Sequence, residues 1–206
     1  MRQSERATAK AIMAIDQASV SGVAMGMTSP DGRLRGIRSG TATQAAHRVR
    51  MVQTAAALAG CLCFTRAPEH PTPCTCGAIR GLVVVLEDHS GIPAGKGVGT
   101  PQLLGMGAAR GRWEETLDHF GHPDSMRFRV DMATWRGTIL GPRFARARKD
   151  VVKAEAVRWA NARAQRLDMG DDEAEALCIL TWANDAIPGK LAAQRLQQDL
   201  FDVAQR

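Results

Sequence analysis

Nothing in this 206-residue chain approaches the roughly 20 consecutive apolar residues that a membrane-crossing helix takes. The first ten residues, Met1 to Lys10, are polar and mixed in charge. They lack the apolar centre and small-residue cleavage site of a secretory signal, so an intracellular setting is expected. That setting disfavours disulfides and leaves the five cysteines as free thiols or metal ligands. There is no internal repeat, and no low-complexity tract beyond alanine-rich helical segments. No glycine fingerprint follows the first apolar run, which argues against a dinucleotide-binding fold. Gly95-Lys96 is followed by Gly97 rather than Ser or Thr, which argues against a phosphate-binding loop.

What is present is one domain's worth of chain, long enough for a hydrophobic core. The formal charge is +6, from 27 basic and 21 acidic residues. An excess of that size suits a polyanionic partner and equally an ordinary basic enzyme. Its distribution says more: eleven Arg or Lys fall between Arg127 and Arg166, and an acidic group follows at Asp171-Asp172-Glu173 and Glu175.

Three strands are expected over 11–39. The first is the apolar run Ala11-Ile12-Met13-Ala14-Ile15, which stops on Asp16. The second covers about 22–28, and the third runs from Leu34 to Ser39 after the turn Ser29-Pro30-Asp31-Gly32. A helix over about 44–59 follows, capped by Thr41 or Thr43, with Val49, Val52, Ala56 and Ala59 as its apolar stripe. Leu82-Val83-Val84-Val85-Leu86 reads as a central strand covered on both faces, and it too finishes on a carboxylate, Glu87. The 90–101 stretch is glycine-rich, and a helix from about Gln102 to Phe120 follows. Its Gly105, Gly107, Ala108, Ala109 and Gly111 suggest close packing against the sheet. A fifth strand is expected at Arg127–Val130 and a short helix or turn at Ala133–Leu140. An amphipathic helix then spans Lys149–Leu167, with Val152, Ala156, Trp159 and Ala160 inward. After Met169-Gly170 a core helix runs from about Asp172 to Trp182, and residues 188–206, beyond Pro188-Gly189, form a separate terminal helix. This order of elements is α/β.

Asp16 and Glu87 each end a buried strand. Adjacent parallel strands would bring both to one edge of the sheet. Asp172 and Glu175 lie three apart on one helix face, beside Ala176, Ile179 and Ala183. Acids bordering an apolar stripe must be paired, protonated or metal-bound. Four of them together repel unless cations sit between them. Carboxylate oxygens suit Mg²⁺ or Mn²⁺, and two such ions roughly 4 Å apart are the clamp for phosphodiester hydrolysis.

These residues resemble the RuvC-type Holliday-junction resolvases, over roughly 11–185. Asp16 stands at the family's first-strand aspartate and Glu87 at its fourth-strand glutamate. Asp172-Glu173-Ala174-Glu175-Ala176-Leu177 is similar to its Asp-Ala-Ala-Asp-Ala-Leu-like motif, with Glu175 in place of the second aspartate. Leu103-Leu104-Gly105, with Gly107 and Ala108-Ala109-Arg110-Gly111, looks like the small-residue helix after the catalytic glutamate. Trp135-Arg136 to Gly141 looks like the Val-Lys-x-x-x-x-Gly segment, and Lys153 with Val157 like Lys-x-x-x-Val. The resemblance implies a ribonuclease H-like fold, a five-stranded mixed sheet flanked by helices. The nuclease domain would span 11–187, with a cysteine-rich insertion at 60–77 and a helical extension at 188–206. It implies a homodimer acting on branched DNA, the four-way junction above all, with two Mg²⁺ or Mn²⁺ per site. The ligands would be Asp16 (bridging), Glu87, Asp172 and Glu175, and Lys153 would be catalytic. Arg136, Arg143, Arg146, Arg148, Lys149 and Lys153 would hold DNA. Two departures stand out. His89 is the only ring soon after Glu87, where family members present a junction-wedging aromatic, and the cysteine insertion points to a divergent or viral member. The setting would be the cytoplasm of a bacterial or virus-infected cell.

Cys61, Cys63, Cys74 and Cys76 offer a structural Zn²⁺ site, although Cys-x-Cys spacing is tighter than usual, and reduced thiols in a surface loop are the alternative. Cys178 reads as core. Two other functions fit the same residues: a nuclease of flaps, forks or RNA–DNA hybrids, and a catalytically inactive nucleic-acid-binding protein. A zinc-dependent binding module would leave the carboxylates unused.

Overall fold

The structure, a computed structural model, describes residues 10–18, 20–63, 75–89 and 99–204. Strand β1 (Lys10–Asp16) turns back into β2 (Ser21–Thr28), and β3 (Leu34–Ala42) completes an antiparallel meander. Strands β4 (Val83–Asp88) and β5 (Arg127–Asp131) then add on the other side of β1, both parallel to it. The sheet order is β3-β2-β1-β4-β5. Three antiparallel strands extended by two parallel ones, with helices on both faces, make the five-stranded mixed sheet of a ribonuclease H-like fold.

Alternation along the buried strands assigns the two faces. Ala11, Met13, Ile15, Val84 and Leu86 meet α1 (Ala45–Leu58) and α2 (Thr100–His119), where Val52, Trp113 and Leu117 lie. Ile12, Ala14, Val83 and Val85 meet the other three helices: α3 (Met132–Ile139), α4 (Lys149–Ala164) and α5 (Asp171–Ala204). Trp135, Val152 and Leu177 fill that side. Cover on both faces is why β1 and β4 read as unbroken apolar runs.

Four local expectations are corrected. Helix α1 is entered through Gln44 with no side-chain cap; Thr43 instead bonds the His47 ring at 3.2 Å. Gly105, Gly107 and Gly111 do not pack on the sheet, since a Cβ built on any of them would meet nothing within 4 Å. Of that set Ala109 is buried as expected, Ala108 is exposed, and helix α2 docks mainly through Trp113 and Leu117, with Phe120 just past its end. Helix α4 ends at Ala164, where Gln165 takes a left-handed conformation (φ 55°). Helix α5 does not stop near Trp182 but runs through Pro188 to Ala204. A proline withholds one backbone donor and crowds the preceding turn, and here it sits on the exposed side of the helix. No helix among the described residues is long and apolar enough to cross a membrane.

Candidate active site

Because β1 and β4 are parallel neighbours, paired through Ile15 and Leu86, the residues that end them emerge side by side. These are Asp16 and Glu87, only 4% and 5% exposed. The first turn of α5 brings the other two acids. It can do so because β2 opposes Asp16 with a glycine, Gly22. A Cβ at Gly22 would lie 1.7 Å from the Asp172 carbonyl oxygen, so only a hydrogen lets the helix start this close to the sheet. Asp16, Asp172 and Glu175 each place a carboxylate oxygen within 4.8 Å of the others', and Asp16, Glu87 and His89 form a second such group. Asp16 belongs to both.

The electrostatics follow from crowding. Burial, then the charges of Glu87, Glu175 and Asp172, hold the Asp16 carboxyl well above its usual range. Burial and Glu87 push Glu175 up to about 7, with Arg136 and Lys153 opposing them. Without a cation the folded site therefore keeps protons on acids that water would ionise. Buried hard-oxygen donors converging on one point are the set that Mg²⁺ or Mn²⁺ accepts, so the residues fit such an ion.

Glu87, Asp172 and Glu175 are each held by a neighbour. Asp131 ends β5 and caps α3, accepting the Thr134 backbone N–H at 2.9 Å. That fixes Trp135, whose indole N–H donates to Glu87 Oε1 at 2.7 Å inside the protein. The other Glu87 oxygen lies 3.4 Å from His89 Nε2, which is also 3.2 Å from the Gln17 carbonyl oxygen. Arg136, next on α3, reaches Glu175 at 3.3 Å, and its guanidinium lies 5.2 Å from the centre of the Trp135 ring. Lys153 on α4 bonds Asp171, and Asp172 at 3.2 Å. Burial lowers the Lys153 pKa, but Asp171 and Asp172 outweigh it and leave it raised. Glu173 points away from the group and is bonded by Ser39 at 2.6 Å and Arg166 at 2.7 Å.

The acids floor a cleft of about 530 Å³ that Arg136, Lys149 and Lys153 also line. Asp16, Glu87, Asp172 and Glu175 are thus brought together, and Lys153 joins them. Arg136 is largely enclosed and committed to Glu175, its side chain 13% exposed. Arg143, Arg146, Arg148 and Lys149 follow α3 as an exposed basic segment, and of these Lys149 lines the cleft. Arg143 stacks over Phe144 at 4.7 Å, and Arg148 pairs with Asp150 at 3.0 Å. His89 turns its ring inward onto Glu87 rather than presenting it at the surface. Cys61, Cys63 and Cys76 gather elsewhere, while Cys74 and residues 90–98 lie outside the described residues.

Sequence reasoning missed the support given by Trp135, Gly22 and the main chain of Gln17. For Trp135 a signal existed: a tryptophan just after a strand-end Asp cap is a large donor placed near the carboxyl edge of the sheet. Gly22 carried none.

No protein-family model matches this sequence, and no curated protein matches it. Among solved structures the chain is similar to one described as T. thermophilus RuvC in complex with Holliday junction substrate. The two share 14% identity over 87% of this chain and 96% of that one, with a TM-score of 0.46.

Proposed function

We propose that the chain is a divalent-metal-dependent endonuclease that cuts branched DNA as a homodimer, with the four-way junction as its preferred substrate. The observation that carries the reading is the convergence of Asp16, Glu87, Asp172 and Glu175 on one cleft with a basic rim. Bound Mg²⁺ or Mn²⁺ would supply an activated water and offset charge on the departing 3′ oxygen. The chain's own groups set the frame for that chemistry. Asp16, common to both ligand groups, is the residue two ions would share. Trp135 orients Glu87, and Arg136 keeps Glu175 from repelling its neighbours. Lys153 puts a permanent positive charge beside the acids, where a phosphoryl oxygen gains charge in the transition state. Arg143, Arg146, Arg148 and Lys149 would hold backbone phosphates. The junction preference rests on the sequence resemblance, and the dimer on the need for two symmetric cuts.

Cleavage of junction, fork, flap and RNA–DNA hybrid substrates in parallel tests this. Symmetric paired nicks confined to the junction are expected. Equal cutting of flaps or hybrids would make it a broader nuclease of the same fold, and binding without product at millimolar Mn²⁺ would make it an inactive binder. Asp16→Asn should abolish cleavage and leave junction binding intact on native gels. Loss of binding with the fold preserved by circular dichroism would remove Asp16 from the metal site.

A further inference from the structure

Away from the cleft, three cysteines meet where the chain leaves α1 and where it approaches β4. Cys61 is buried against the core, and its sulfur lies 3.5 Å from that of Cys76. With Cys63, all three Sγ atoms fall within 4.8 Å of one another. A disulfide would need about 2.05 Å between sulfurs, and none of the three is disulfide-bonded. Tetrahedral zinc with Zn–S bonds of about 2.3 Å spaces its sulfurs by roughly 3.8 Å, which is the separation regime seen here.

The surroundings also suit thiolates. The Cys63 sulfur has the Thr75 hydroxyl 3.6 Å away and receives backbone N–H groups of Thr75 and Cys76. Donors of that kind orient a metal-bound sulfur and spread its charge. Gly60 (φ 87°) directly precedes Cys61 and Gly77 (φ 74°) directly follows Cys76, so both ligand segments reverse through residues that only glycine accommodates easily.

We propose that Cys61, Cys63 and Cys76 bind a structural zinc ion, with a further donor completing the tetrahedron. The site is separate from the carboxylate cleft: Cys76 lies before β4, and Glu87 ends it. The ion would tie the exit of α1 to the segment that starts β4. Soft thiolates favour zinc over the hard cations that suit the cleft.

Metal analysis of the purified full chain should find one zinc per protein. Cobalt substitution should give thiolate-to-metal charge-transfer bands and the intense visible bands of a tetrahedral site. Cys63→Ser and Cys76→Ser should each lose the ion, while Cys178→Ser, within α5, and Asp16→Asn should keep it. Cys63 is only half-buried, so its variant tests the site even if substitution of Cys61 prevents folding. Purified protein without zinc, zinc retained in the Cys63→Ser, Cys76→Ser double variant, or zinc lost in Asp16→Asn would each overturn the proposal. So would a Cys61–Cys76 disulfide in the purified protein. None of these outcomes depends on cleavage activity.

Discussion

At the residue scale the cleft works by holding together, away from solvent, acids that bulk water would ionise. Trp135 shows how. Its indole N–H spends its one donor on Glu87 Oε1, inside the core and 48 positions along the chain. Trp135→Phe keeps most of the packing and removes that donor. It should weaken Mg²⁺ activation of cleavage by about 10–100-fold, the usual cost of losing a partner behind a metal ligand. Titrating the cleavage rate against Mg²⁺ reads this directly, with junction affinity as the control that should not move. An unchanged metal dependence would show that Glu87 needs no such support.

At the element scale, the decisive contact is that of helix α5 with strand β2. The acids of α5 reach Asp16 only because Gly22 leaves room for the Asp172 carbonyl. Gly22→Ala forces a methyl group into backbone that cannot rotate away. Overpacking of this kind costs about 1–3 kcal/mol, and the first turn of α5 must lift. The expected result is a folded protein with a lower melting temperature and a larger loss of metal-dependent cleavage. Melting unchanged and cleavage intact would mean the helix start yields freely. The same element shows the limit of local rules, since α5 passes Pro188 without ending.

At the scale of the whole molecule, the buried acids link stability to pH. Glu175 is pushed from its ordinary 4.5 up to about 7, and Asp16 is also raised. Over that interval the folded chain holds protons that the unfolded chain releases, so stability must fall as pH rises. The Glu175 contribution is fully present below about 4.5 and lost as pH climbs through about 7. Thermal melts without added magnesium should therefore decline over this range, and millimolar Mg²⁺ should flatten the decline by replacing the protons as counter-charge. Glu175→Gln should flatten it without metal. A flat profile for the unsubstituted protein would mean the acids are not held together. The exposed basic segment after α3 gives a second whole-molecule expectation. Each phosphate contact contributes about −0.9 to the slope of log affinity against log salt, so Arg146→Ala should make that slope shallower by about 1. An unaltered slope in a salt series of gel shifts would take Arg146 off the DNA path.

Much of this was legible along the chain. The runs Ala11–Ile15 and Leu82–Leu86 read as buried strands, the second with cover on both faces, and each closes on a carboxylate. The three-residue spacing of Asp172 and Glu175 put them on one helix face. Those features follow from the period of a strand and the pitch of a helix, which a sequence carries residue by residue. Which acids become neighbours came from the family resemblance and not from any local pattern, because that depends on how strands pair and how close a helix may approach. Gly22 under Asp172, Trp135 against Glu87, Arg136 turned to Glu175 and the glycines of α2 facing outward are all contacts or orientations between elements. They exist only once the long-range packing has been settled, and no local pattern encodes the distance between two pieces of chain that meet only in the folded state.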